Sequence, residues 1–103
     1  MSKYRTDYND VAKAFKALSN NNRLAIFHRL LACCEVGASC EIEQCMKMVV
    51  GELGKSIDIA PSTLSHHLKE LHQANLIVMQ RKGQQIECWV NKEAVKSVKQ
   101  FLN

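Results

Sequence analysis

The stretch Val49-Val-Gly-Glu-Leu-Gly-Lys-Ser-Ile-Asp-Ile-Ala-Pro-Ser-Thr-Leu-Ser-His-His-Leu-Lys-Glu-Leu-His-Gln-Ala74 decides the fold. Its apolar residues recur at helical spacing and predict one helix over about Val49–Ile57 and another over about Pro61–Ala74. Pro61 suits the first position of a helix, because the N–H that proline lacks would be unpaired there. The core-facing leucines of the second helix are Leu64, Leu68 and Leu71. Two short helices joined by three or four residues form a helix-turn-helix.

Two further helices are predicted before this unit. Apolar residues spaced i, i+3, i+4 and i+7 mark one face of the first helix. These residues are Val11, Ala14, Phe15 and Leu18. The polar run of residues 19–22 interrupts the pattern, and a second helix is predicted from about Asn21 to Cys33. Its inward-facing residues are predicted to be Leu24, Phe27, Leu30 and Leu31.

The pattern changes from helical to strand-like after Asn75. Alternation predicts strands over Leu76–Lys82 and Gln85–Asn91, with a hairpin turn at Gly83-Gln84 between them. Residues 92–102 return to helical spacing. The predicted fold class is therefore mostly α with a β-hairpin wing, a winged helix-turn-helix of order α-α-α-α-β-β-α.

Composition and length limit the classes of function. A chain of 103 residues, 47% of them apolar, predicts one globular domain over residues 1–103. So small a core favours burying a further apolar face in a homodimer. The net charge of +4 is compatible with a polyanionic partner. The polar N-terminus and the lack of a long apolar run predict a cytoplasmic protein without a membrane partner. Four scattered glycines and no nucleophile–base constellation indicate that the chain is not an enzyme.

The second helix of the helix-turn-helix carries a polar stripe opposite its leucines. Ser62, Ser65, His66 and Lys69 are spaced i, i+3, i+4 and i+7, and Thr63 lies near the helix start. Hydroxyls can hydrogen-bond base edges and phosphates, and lysine neutralises phosphate charge. Any exposed helix has a polar face, so the stripe indicates DNA binding only together with the basic hairpin beside it. The candidate DNA-contacting residues of the hairpin tip are Arg81, Lys82, Gln84 and Gln85. His67, next to Leu68, is expected to be packed and hydrogen-bonded.

Three segments carry a family resemblance. They are Lys16-Ala-Leu-Ser-Asn-Asn-Asn-Arg-Leu-Ala-Ile-Phe-His-Arg-Leu-Leu31, Val50-Gly-Glu-Leu-Gly54 followed by Ala60–Leu71, and the hairpin with Leu76-Ile77 and Arg81-Lys-Gly-Gln84. Together they resemble the ArsR/SmtB family of metalloid- and metal-responsive repressors over nearly the whole chain except residues 32–48.

The resemblance implies a mode of action. Such proteins are homodimers joined through their first and last helices, and they release operator DNA when an inducer binds. Their pattern implies that Ser62, Thr63, Ser65 and His66 lie at the major groove. It also implies that the Arg81–Gln85 tip is the wing.

The inducer sites familiar in that family are missing from this sequence. The Cys-x-Cys of the metalloid site is replaced by Val49 and Gly51, and the last predicted helix offers only Glu93 and no histidine for zinc. Four thiols instead fill a connection, at about residues 32–48, that is longer than the family norm. They are Cys33, Cys34, Cys40 and Cys45.

Thiolates select soft ions, so these four cysteines are candidate ligands for As(III), Sb(III) or another soft metal ion acting as inducer. No obligatory cofactor is expected. The same thiols could sense oxidants or reactive sulfur by forming a disulfide, or they could be incidental to a loop. Cys88, on the second hairpin strand, is expected to be a core residue. The predicted function is an operator-binding repressor released by a thiophilic inducer. The alternatives are a thiol-based redox repressor and, less favoured, a winged helix that binds protein.

Overall fold

The computed structural model describes the backbone of residues 8–35 and 48–103, and the side chains of residues 8–32 and 50–103. The elements in chain order are α1 (Asn9–Ala17), α2 (Asn21–Glu35), β1 (Met48–Val49), α3 (Val50–Ile57), α4 (Pro61–Gln73), β2 (Ile77–Lys82), β3 (Gln85–Val90) and α5 (Lys92–Leu102). The predicted order of five helices and a hairpin is thus confirmed, and α5 has the predicted bounds. Within the described ranges, no helix has both the length and the apolar character needed to cross a membrane.

One strand was not predicted. β1 pairs antiparallel with β3, which gives a three-stranded sheet of order β1-β3-β2. The predicted start of α3 at Val49 is wrong by one residue, because Val49 pairs with Glu87 in this sheet. Because β1 directly precedes α3, its pairing with β3 attaches the start of the helix-turn-helix to the sheet.

The core lies between α2, α4 and the sheet. α4 packs against α2, α3 and β2, and α2 packs against β3. The largest fully buried side chains are Ile26, Leu30, Leu53, Leu64, Leu68, Leu71, Leu76, Ile77 and Cys88. Because the leucines of α4 fill the centre of this core, the orientation of α4 is set by packing on several sides.

Leu24, which was predicted to face the core, is exposed instead, and so is Phe15 on the predicted apolar face of α1. Leu24 is 48% exposed and Phe15 is 39% exposed. The buried face of α2 is formed by Ile26, Phe27 and Leu30. Leu24 precedes Ile26 by two residues, which at 100° per residue places it opposite Ile26 and at the edge of the buried face. The prediction for Leu24 is therefore wrong, since α2 carries more apolar residues than one face can bury.

Candidate nucleic-acid interface

The turn between α3 and α4 is tight. Asp58 adopts the left-handed conformation, with φ 55°, and the Ile59 N–H donates to the Gly54 carbonyl at 3.1 Å. Gly54 is buried, and a Cβ there would lie 3.0 Å from Leu64 Cδ2 and 3.4 Å from the Ile59 carbonyl oxygen. The absence of a side chain at Gly54 thus lets α3 approach α4 closely, as a helix-turn-helix requires.

Helix α4 is amphipathic in the predicted sense. Its buried residues are Leu64, His67, Leu68 and Leu71. Its predicted contact residues, hereafter the polar stripe, are all exposed: Ser62, Thr63, Ser65, His66 and Lys69. The chain enters α4 through an extended Ala60, and Pro61 occupies the first turn. The stripe therefore begins at the positive end of the helix macrodipole, which favours phosphate groups.

The hairpin tip, residues 81–85, presents the predicted wing. Lys82 pairs with Gln85, and Gly83 adopts φ 62°, which places the turn at Gly83-Gln84 as predicted. The tip residues expected to contact DNA are all exposed: Arg81, Lys82, Gln84 and Gln85. The Arg81 guanidinium donates to the Gly83 carbonyl at 3.4 Å. Two cations and two amides are therefore exposed on a turn joined to α4 through β2.

The two adjacent histidines of α4 lie in different environments. His66 is exposed, whereas His67 is 7% exposed and its Nδ1 lies 3.4 Å from Nη1 of Arg23. Burial, followed by the positive charge of Arg23 and by His66, holds the pKa of His67 below its usual value. The expected packing and hydrogen bonding of His67 are thus found, with an arginine of α2 as the partner.

No role was predicted for Arg23 from the sequence. A signal was present, because Arg23 precedes Ile26 by three residues and so lies on the same face of α2 as Ile26, Phe27 and Leu30. A charged residue on a core-facing position needs a polar partner. Arg23 has two, the His67 ring and the Ala17 carbonyl at the end of α1.

The predicted thiol ligands lie mostly outside the described residues. The backbone of Cys33 and Cys34 belongs to the last turns of α2, which extends to Glu35, so these two cysteines lie on a helix and not in a loop. Cys40 and Cys45 lie outside the described residues. In the described ranges, no group of three His, Cys, Asp or Glu side chains could hold a metal ion. The fifth cysteine, Cys88, is completely buried, and burial raises the pKa of its thiol to about 12. Its predicted place in the core is confirmed.

Comparison with known proteins identifies the same unit. Residues 40–78 match the model of a family described as bacterial regulatory protein, arsR family. This segment contains the helix-turn-helix, and it begins inside the stretch 32–48 that the sequence resemblance left out. The chain is 38% identical over 69 residues to the arsenical resistance operon repressor of Bacillus subtilis strain 168. That alignment covers 67% of this chain and 54% of the relative, so the match spans about half of the relative's length.

Solved structures share the fold. A crystal structure of an ArsR family transcriptional regulator superposes with a TM-score of 0.72 at 23% identity, covering 91% of this chain and 89% of that one. The homodimeric winged helix-turn-helix DNA-binding domain of a Mycobacterium bovis protein superposes with a TM-score of 0.70 at 18% identity, covering 99% and 84%. At these identities the likeness concerns the winged helix fold. The family match is on the helix-turn-helix segment, which resembles the corresponding segment of the arsR family of bacterial regulatory proteins, a family not made up of enzymes.

Proposed function

We propose that the protein is a transcriptional repressor that binds operator DNA as a homodimer and releases it when a thiophilic inducer binds. The single observation that carries this proposal is the division of α4. Every apolar side chain that α4 buries lies on one face, and the polar stripe on the other face is free to enter a major groove.

The wing supports the same surface. Arg81 and Lys82 are exposed at the hairpin tip, where they can neutralise phosphates beside the groove that α4 occupies. Gln84 and Gln85 can hydrogen-bond either the phosphates or the minor-groove edges of bases. The polar stripe supplies base contacts, and the wing supplies affinity that does not depend on sequence.

The dimer surface is proposed on α1 and α5. Tyr8, Phe15 and Phe101 form a chain of edge-to-face ring contacts, with centroids 6.1 Å and 5.8 Å apart, and Leu102 lies beside Phe101 in sequence. All four are exposed, from 39% for Phe15 to 69% for Leu102. An aromatic cluster at the contact of the first and last helices is an apolar patch that a second copy of the chain would cover.

The inducer is proposed to be As(III), Sb(III) or another soft metal ion bound by thiolates of Cys33, Cys34, Cys40 and Cys45. Support comes from the density of soft ligands and from the name of the Bacillus subtilis relative, an arsenical resistance operon repressor. Cys33 and Cys34 end α2, the helix that packs against α4. An ion bound there could therefore shift the helix that orients the polar stripe. A redox response by the same thiols is the second candidate, because peroxide can oxidise two thiols to a disulfide while being reduced to water, and a persulfide can transfer its outer sulfur to a thiol.

Release from DNA tests the proposal. The reduced protein is bound to its own upstream promoter fragment and titrated with As(III), Sb(III), Cd(II), Zn(II), peroxide and a persulfide, with bound DNA followed by fluorescence anisotropy. Release by As(III) or Sb(III) alone is the expected result, and release by oxidant alone would assign the thiols to redox sensing. A Cys33→Ser/Cys34→Ser variant should bind DNA but resist release, whereas Cys88→Ala, with its thiol in the core, should respond as the wild type does. Normal release from the double variant would contradict the assignment of the site.

A further inference from the structure

The guanidinium of Arg23 connects three helices. Its Nε donates to the carbonyl of Ala17, the last residue of α1, and its Nη1 lies 3.4 Å from Nδ1 of His67 on α4. Arg23 itself is held in the first turn of α2, because the Asn20 side chain accepts a hydrogen bond from its backbone N–H at 3.1 Å. One side chain thus links the end of α1, the start of α2 and the middle of α4.

This contact constrains the protonation state of His67. A guanidinium has only donors, so Nδ1 of His67 must accept, and the ring proton must lie on Nε2. A second proton on the ring would turn Nδ1 into a donor facing a permanent positive charge. The contact therefore exists only with a neutral His67.

We propose that Arg23 and His67 are a positioning pair that sets the angle of α4 against the α1–α2 corner and thereby determines operator affinity. The inference rests on the proposed role of the polar stripe in reading DNA. His67 is buried beside Leu68 and contacts Arg23 of α2, so this contact constrains the rotation of α4 about its axis. Packing of the leucines determines which side of α4 faces the core, and the directional contact of Arg23 with His67 adds a constraint on the angle of α4.

The pair also links the two proposed interfaces. α1 carries Phe15 of the proposed dimer surface and ends at Ala17, to which Arg23 donates. A change in the seating of α1 on a second copy would therefore reach α4 through this side chain, in addition to the direct packing of α1 against α4. The relative placement of two recognition helices must match half-sites about one DNA turn apart, so a small rotation of α4 is enough to weaken binding.

Charged groups around the pair come from three helices. Arg23 faces His67 from α2, while His66 and Glu70 flank it on α4 itself. Lys13 and Lys16 of α1 line the same shallow cleft as Arg23 and Glu70. Burial, followed by the positive charge of Arg23 and by His66, holds the pKa of His67 below its usual value, while Glu70 acts in the opposite direction. Protonation of His67 thus belongs to the acid side of neutrality, and it opposes the contact.

The test compares operator affinity in four proteins: the wild type, Arg23→Gln, His67→Gln and the control Lys16→Gln. Lys16→Gln removes the same charge from the same cleft without touching His67. Arg23→Gln is expected to lower operator affinity about tenfold, with little change in affinity for scrambled DNA, while Lys16→Gln stays within about twofold of the wild type. Circular dichroism and thermal unfolding confirm that each variant is folded at the temperature used.

The pH profile separates positioning from simple stabilisation. As the pH is lowered below the usual histidine range, until His67 takes up a proton, the operator affinity of the wild type should fall relative to that of His67→Gln, whose amide oxygen can accept at any of these pH values. A folded Arg23→Gln variant with wild-type operator affinity and wild-type discrimination against scrambled DNA would overturn the positioning pair. Identical pH profiles for the wild type and His67→Gln would also overturn it. Either result would leave the proposed function standing. A wild type that fails to prefer its own upstream DNA would overturn both.

Discussion

Neighbouring residues of α4 have opposite environments, and this contrast defines the candidate interface. His67 is buried against Arg23, while His66 and Lys69 are exposed on the polar stripe. Helical spacing predicted this division correctly, because Leu64, Leu68 and Leu71 fix which side of α4 is buried. The partner of His67 could not be predicted, since Arg23 lies 44 residues away in sequence and meets it only in the folded chain.

Lys69→Ala should weaken DNA binding in a way that depends on salt. Loss of one phosphate-neutralising cation lowers affinity for all sequences and reduces the slope of log affinity against log salt by about one. Lys92→Ala, an equal charge change on an exposed residue at the start of α5, is the matched control and should leave the slope unchanged. Equal effects of the two variants would show that net charge, and not the polar stripe, governs binding.

The raised pKa of the Cys88 thiol should make the free energy of unfolding fall in alkaline solution. Its folded-state pKa is raised from 9.0 to about 12, so above pH 9 the unfolded chain releases a proton that the folded protein retains. Stability from this group is complete below pH 9 and is lost as pH rises toward 12, at about 1.4 kcal/mol per pH unit.

Urea unfolding under reducing conditions measures this effect. The stability advantage of the wild type over Cys88→Ala should shrink by about 2 kcal/mol between pH 8 and pH 10.5. Groups other than Cys88 are present in both proteins, so their titration cancels in the difference between the wild type and Cys88→Ala. An advantage that stays constant over this range would contradict the account of Cys88.

At the scale of the elements, the α3–α4 junction depends on one glycine. Gly54→Val should destabilise the protein by about 1–3 kcal/mol, because its side chain must displace Leu64 and meets the Ile59 carbonyl. Gly51→Val makes the same change on the same helix, at a position with nothing within 4 Å of the added Cβ. That control should stay within about 0.5 kcal/mol of the wild type. Thermal and urea unfolding give both values, and equal losses would contradict the close approach at Gly54.

Elements with strong boundary residues were predicted well, and a short one was missed. Asn91 caps α5 by accepting from the Glu93 N–H, and Pro61 starts α4. β1 has only two residues, too few to show the alternation that identifies a strand, and it exists because β3 offers a free edge. Local sequence therefore predicted the hairpin and helices, while β1 depends on a long-range pairing.

At the scale of the whole molecule, the aromatic cluster of Tyr8, Phe15 and Phe101 forms an exposed apolar surface. Phe101→Glu should convert the proposed dimer to monomer, because it places a charge in the centre of the ring contacts with Tyr8 and Phe15. Leu24→Glu is a matched control, since Leu24 is 48% exposed and Phe101 is 50% exposed, and Leu24 lies on α2. Sedimentation equilibrium should give a monomer for the first variant and a dimer for the second. A dimeric Phe101→Glu would place the interface elsewhere.

For the inducer site, the sequence predicts the candidate ligands but not their arrangement in space. Residue types identify Cys33, Cys34, Cys40 and Cys45 as soft ligands, but binding depends on whether their sulfur atoms converge within bonding distance of one ion. Convergence is a property of the three-dimensional arrangement, and spacing along the chain does not determine it. The exposure of the polar stripe and of the hairpin tip was predictable because a single helix and a single hairpin supply these residues.

The central claim is that the polar stripe and the wing bind a specific DNA sequence. Fluorescence anisotropy with the protein's own upstream promoter fragment and a scrambled fragment, each over a range of salt concentrations, tests it most directly. We expect the promoter fragment to bind about a thousandfold more tightly or better, with affinity that falls steeply as salt rises. Equal binding of the two fragments, or no binding even at low salt, would contradict the account.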